Sequence, residues 1–205
     1  MTKILKSKFK VSRRLGCSIW GSDKDTVLKR NYKPGQHSAS TRSYSDYGSH
    51  LMSKQKLKAH YGRIPEKQFK NTFKSAFKKA GNTGENFVGL LESRLDVAIY
   101  RMGFASSIFA ARQIVSHKHI LVNGKKVNIP SYVLSENDVV SLTEKAKNLP
   151  IIIQSIEKRQ KLCPNYYVIT EGRSTEGKLA RKPFLSDVPY PFEVNMQSII
   201  EFYSR

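Results

Sequence analysis

Cysteine is almost missing from these 205 residues: Cys17 and Cys163 are the whole complement. Two thiols cannot build a disulfide framework, so a reducing compartment fits. Nor can they complete a zinc site, which takes four ligands. The five histidines are scattered and none falls at a ligand spacing from Cys17, so neither a metal nor a cofactor is expected. Acidic residues are also scarce. Asp and Glu number 16 against 36 Lys and Arg, a formal charge of +20. Long apolar runs are absent, and none approaches the roughly 18 residues that span a bilayer, so no membrane span is expected. No G-x-x-x-x-G-K-[ST] loop occurs, which argues against nucleotide hydrolysis.

What the chain has in excess is positive charge, and that calls for a polyanionic partner. Nucleic acid is the first choice and an acidic membrane surface the second. A content of 39% apolar and 10% aromatic residues is too high for a wholly disordered basic tail. Residues 1–63 hold 15 Lys/Arg and 3 Asp/Glu, so they carry +12 of the +20. Residues 1–46 therefore read as an extended basic arm that orders on RNA. Leu15, Ile19, Trp20, Tyr32, Tyr44 and Tyr47 interleave with its charges, and such aromatics stack on bases or pack on a helix. The opening residues MTKILKSKFKVSRR lack the apolar centre of a secretory signal. Their freedom from acids until Asp23 leaves a mitochondrial targeting peptide as the alternative.

Beyond the arm, Ser45 or Asp46 is placed to cap a helix that ends at Gly62. Pro65-Glu66 opens the next, whose Phe69, Phe73, Phe77 and Ala80 predict a core stripe. Lys70, Lys74 and Lys78 repeat on a neighbouring face, either solvated or on phosphates. Gly81-Asn82-Thr83-Gly84 resembles an RNA-clamping G-x-x-G loop, but a helix stop followed by a new cap explains it better. A longer helix is expected from about Glu85 to Met102, then another capped by Ser106 or Ser107. Asn123-Gly124 between apolar residues is a strong hairpin signal. DVVSL and YYVI predict strands, and IIIQSIEKRQ a helix. SIIEFYSR predicts a short helix or strand that packs back on the body.

The stretch from Arg94 through Asn123-Gly124-Lys125 resembles the small RNA-binding fold named after small-subunit ribosomal protein four. The likeness continues through Ser12-Arg13-Arg14, Pro34-Gly35-Gln36-His37, Ser45-Asp46-Tyr47-Gly48, Gly81 to Asn86, Tyr100 to Phe104, Val115-Ser116-His117 and Glu201 to Arg205. In order and spacing these match the bacterial-type small-subunit ribosomal protein four family. That resemblance implies an α+β chain with a mostly helical body, an inserted small α-helix/β-hairpin RNA-binding module and the basic arm. The expected divisions are 1–46 for the arm, 47–92 and 154–205 for the body, and 93–153 for the module. It also implies a primary binder of small-subunit rRNA that holds a multi-helix junction of the 5′ domain and nucleates assembly. Further implications are a place near the channel by which mRNA enters, contact with the fifth small-subunit protein, and in some members repression of the chain's own message. No homo-oligomer is implied. Some members carry a four-cysteine zinc cluster near the N-terminus; this chain keeps only Cys17 there. The lysine- and isoleucine-rich composition favours a bacterium or an organelle-encoded gene; the expected place is a bacterial cytoplasmic ribosome, with a mitochondrial one as the alternative.

A folded RNA junction hides most base edges, so recognition should rest on cations held by a rigid frame. Arg94, Arg101, Arg112, His117, Lys118, His119, Lys125 and Lys126 are expected to form one basic surface. Arg13, Arg14, Lys54, Lys56, Lys58 and Arg63 form a second cluster, with Gln36 and His37 in a Pro-Gly loop. His117 has a structural hydrogen bond as its alternative role, and Asn123 a turn geometry. Asp96 fits a partner for Arg94 better than a catalyst. An enzyme alternative is a pseudouridine synthase, whose motif includes Gly-Arg-Leu-Asp where this chain has Ser93-Arg94-Leu95-Asp96. Its catalytic domain needs well over a hundred further residues, and 52 follow Ile153. An RNA chaperone or recycling factor with the same module is the other alternative. No enzymatic activity is expected.

Overall fold

The computed structural model describes residues 7–36, 44–158, 163–170 and 175–204. The chain divides into two compact units, Met1–Lys74 with Tyr190–Arg205, and Ser75–Pro189.

The first unit is helical. Val11, Leu15 and Ile19 recur at four-residue spacing among the N-terminal cations. That periodicity folds part of the arm expected to be extended: Lys8–Leu15 form helix α1. Leu15 and Ile19 bury beside Ala59, with Trp20, Met52 and Phe192 around them. Ala59 lies on α2 (Asp46–His60), whose cap is Ser45, its Oγ accepting from Gly48 N at 3.3 Å. Trp20 Nε1 donates to His60 O, and His60 Nδ1 to Ile19 O, so polar groups as well as apolar ones pin this segment. Helix α3 (Glu66–Phe77) buries Phe69 and Phe73. The expected stripe stops there. Phe77 is 67% exposed because the helix ends at it. Near the C-terminus, α9 (Met196–Ser204) packs along α2 and stacks Tyr203 on Phe73, 4.7 Å between ring centres.

In the second unit, Asn82 caps α4 (Thr83–Glu92), its Oδ1 accepting from Gly84 N at 2.8 Å. The expected single helix from Glu85 to Met102 is two. Arg94 takes an extended conformation between α4 and α5 (Leu95–Arg101) and pairs with Val133. The amides of Leu95 and Asp96 donate to the carbonyls of Tyr132 and Pro130, which replace the helix's own acceptors. Ser107 then caps α6 (Ile108–Ser116), whose Ile108, Ala111, Ile114 and Val115 are buried as expected.

Strands β1 (Ile120–Val122) and β2 (Lys125–Val127) follow as the Asn123-Gly124 hairpin. With φ of 49° and 77°, both turn residues lie in the left-handed region that such a turn demands. Strand β3 (Val139–Leu142) pairs with β1. Two short helices, α7 (Glu144–Lys147) and α8 (Pro150–Glu157), lead towards β4 (Tyr167–Ile169) and β5 (Glu176–Leu179). The antiparallel sheet has the order β2-β1-β3-β5-β4. The division expected at residue 153 is therefore not where the units part. β5 pairs with the open edge of β3, which draws β4 and β5 into this unit, and the helical unit takes up the chain again at Tyr190. Gly177 lets β5 pass close to its neighbours: a Cβ there would meet Met102 Sδ at 3.0 Å and Val168 O at 3.2 Å.

Candidate nucleic-acid interface

Two carboxylates with no exposure organise the second unit. Glu92 accepts from Arg101 Nε at 3.1 Å and Nη2 at 2.9 Å, and from the Tyr166 hydroxyl at 2.8 Å. Tyr167 donates to the Glu92 carbonyl. Burial first, and then the Glu92 charge, push both phenols well above their ordinary range, so they remain donors. Asp96 accepts from Arg94 Nε at 3.1 Å and Nη2 at 3.0 Å. It also accepts from Arg112 Nε at 3.1 Å and Nη2 at 2.9 Å. Forked pairing of this kind is the strong form of an ion pair, and it compensates for taking the charges out of water.

These pairs revise the expected basic surface. Arg94 and Arg101 are each 5% exposed. They are internal counter-ions for Asp96 and Glu92. Arg112 is intermediate, its side chain 22% exposed. Their spacing in the sequence is that of a surface row, but the two acids lie inside and the arginines follow them. Asp96 does partner Arg94. At 0% exposure it is the shared counter-ion of the two guanidinium groups.

What the frame presents is the bend after α6. His117 and Lys118 are exposed and His119 is half-buried. Lys118 sits at φ 61°, a strained position for a side chain, and such strain is kept where the surroundings enforce it. Lys125 and Lys126 project from β2, both exposed. His117, Lys118, His119 and Lys126 line one hollow with Thr143, Glu144 and Lys145. Lys145 was not singled out from sequence. Its signal was there: Thr143 caps α7, its Oγ1 accepting from Ala146 N, and the first turn carries Lys145 outward. Asn123 serves the turn and more. Its amide donates to Asp138 Oδ1 and its Oδ1 accepts from Val139 N, tying the hairpin tip to β3.

The second cluster lies in the helical unit and also divides. Lys54 is 4% exposed; its Nζ donates to Glu66 at 2.8 Å and lies 4.1 Å from the centre of the Phe202 ring. Lys58 donates to the other Glu66 oxygen at 2.7 Å, and the Tyr203 hydroxyl to the first at 2.9 Å. Burial opposes the Glu66 charge, but these three donors outweigh it and hold the carboxyl down to about 2. Lys54 therefore joins helices. Lys58 shares that clamp. Arg13 donates to the carbonyls of Tyr32 and Lys33, and Arg63 to that of Ser7. Arg14 is exposed and Lys56 half-buried, and both line one cleft. Gln36 is exposed, and His37 lies outside the described residues. Among the described residues no His/Cys/Asp/Glu group is placed to hold a metal ion, and no helix is long and apolar enough to cross a membrane.

Two family models match consecutive stretches. The one described as the ribosomal protein S4/S9 N-terminal domain covers residues 3–92, and the S4 domain covers residues 93–140. A small ribosomal subunit protein uS4 of Orientia tsutsugamushi is 53% identical over 206 residues, covering 100% of each chain. Proteins of the same name from Rickettsia canadensis and Rickettsia felis are 56% and 55% identical, again with 100% of each chain covered.

Proposed function

The chain belongs to the small ribosomal subunit protein uS4 family, and from that premise we infer that it is a structural, rRNA-binding constituent of the small subunit. The observation that carries the mode of binding is the frame-and-surface arrangement of the second unit. Internal arginines neutralise Glu92 and Asp96, while His117, Lys118, Lys125, Lys126 and Lys145 remain on the outside. Cations on a stiff frame suit the phosphate array of a folded RNA, where shape is read before sequence. Arg14, Lys56 and Arg63 are the corresponding candidates in the helical unit.

The finer reading is a junction holder. The chain grips a multi-helix junction of the rRNA 5′ domain, nucleates assembly, and lies near the channel by which mRNA enters. It touches the fifth small-subunit protein, and the same surface lets the free chain repress its own message. It acts as one copy per subunit in a cytoplasmic ribosome; the bacterial sources of the relatives favour this over a mitochondrial ribosome. No reaction is assigned to it. The test is a high-salt wash of ribosomes from the source, followed by quantitative mass spectrometry. Retention on the small subunit at one copy each is expected. Substoichiometric, salt-labile association would replace this reading with an assembly or recycling factor.

A further inference from the structure

Two tyrosines of the helical unit stand half exposed in a place the ion pairs do not explain. Tyr32 and Tyr44 are each 50% exposed. Both line a cleft of about 400 Å³ whose wall also carries Arg13, Arg14, Lys33 and Lys56 and, among the described residues, no acidic one. Arg13 fixes the arrangement: it donates to the carbonyls of Tyr32 and Lys33, and its guanidinium carbon lies 4.6 Å from the centre of the Tyr32 ring. Lys33 Nζ lies 5.1 Å from the centre of the Tyr44 ring. Tyr47, by contrast, has a ring partner in Phe202 at 5.6 Å. A large aromatic left open to water beside a cation is a platform in want of a partner.

We propose that this cleft takes an unpaired nucleobase, stacked on Tyr32 or Tyr44, with the flanking phosphates on Arg14 and Lys56. The inference rests on the rRNA-binding reading and adds a subsite for single-stranded or extruded nucleotides to it. Base stacking on an aromatic ring tolerates any base, while cations along the groove track the backbone, and the cleft holds both elements. Arg13 acts as the positioning residue, since its donors are already on the Tyr32 and Lys33 carbonyls.

The test uses the full chain and two fluorescent strands of equal length and charge, one oligoadenylate and one abasic. Stacking predicts that the adenine strand binds about tenfold tighter than the abasic one. The Tyr32→Ala/Tyr44→Ala pair should remove that preference, and Tyr32→Phe/Tyr44→Phe should keep it. Circular dichroism melts of each variant guard against misfolding, and the phenylalanine pair keeps the test decisive if the alanine pair unfolds. Equal binding of both strands by the wild type, or a preference that survives the alanine pair, overturns the proposal. So does loss of the preference in a folded phenylalanine pair, which would assign the effect to the hydroxyls. Small-subunit rRNA binding is measured on the same wild-type sample. If rRNA binds without a strand preference, the nucleobase site alone fails; if rRNA does not bind, the reading beneath it fails.

Discussion

A carboxylate with no exposure, held between guanidinium groups as Asp96 is between Arg94 and Arg112, is costly to leave half paired. Asp96→Asn would strand the Arg94 charge inside the protein. The expected loss is about 3–5 kcal/mol, read by urea unfolding. Lys118 is the opposite case. Its left-handed backbone costs stability, and its exposed ammonium is one of the proposed rRNA contacts. Lys118→Gly should therefore leave the unfolding free energy unchanged or raise it by about 1 kcal/mol, while rRNA affinity falls. An unstable Lys118→Gly would show that the side chain supports the fold. Residue types alone could not separate these roles. Arg94 and Lys118 look equally suited to phosphate in the sequence. Which of them is internal depends on where Asp96 and Glu92 are buried, a matter of three-dimensional packing.

One carboxylate holds three helices together in the first unit. Glu66 on α3 receives Lys54 and Lys58 from α2 and Tyr203 from α9. Its folded pKa of about 2 lies below the ordinary 4.5, so the stabilisation is present above 4.5 and lost as pH falls through about 2. Glu66→Gln should flatten the acid limb of a melting-temperature titration across that window. An unchanged acid limb would mean that other carboxylates set it. At Gly177, where β5 passes Met102, Ala should cost about 1–3 kcal/mol by overpacking, measured by thermal unfolding. The elements themselves were largely legible. Ser45, Asn82 and Ser107 announced their helices by capping chemistry, and Asn123-Gly124 its hairpin by turn geometry. α1 was missed because its apolar spacing is diluted by Lys and Arg. The break at Ser93-Arg94 was missed because its cause is the distant Pro130–Leu134 segment, which takes over the hydrogen bonds. β5 was missed because EGKL has no strand pattern of its own and pairs only because β3 leaves an edge open.

Across the whole molecule, the excess charge is concentrated where sequence reading put it, with +12 on residues 1–63. Several of those cations are nonetheless tied up: Lys54 and Lys58 on Glu66, Arg13 on backbone carbonyls. Net charge thus overstates the number of contacts available to RNA. Counterion release counts only the phosphates that are neutralised, so the salt dependence of binding reports the accessible cations directly. The most direct measurement is the slope of log affinity against log salt for small-subunit rRNA, comparing the wild type with a triple variant carrying Lys118→Gln, Lys126→Gln and Lys145→Gln. The expected result is a slope shallower by about 2, since each phosphate contact contributes about 0.7–0.9, with the melting temperature unchanged. An unaltered slope in a folded triple variant would contradict the claim that this outer surface, held in place by the buried arginine pairs, is what grips the RNA.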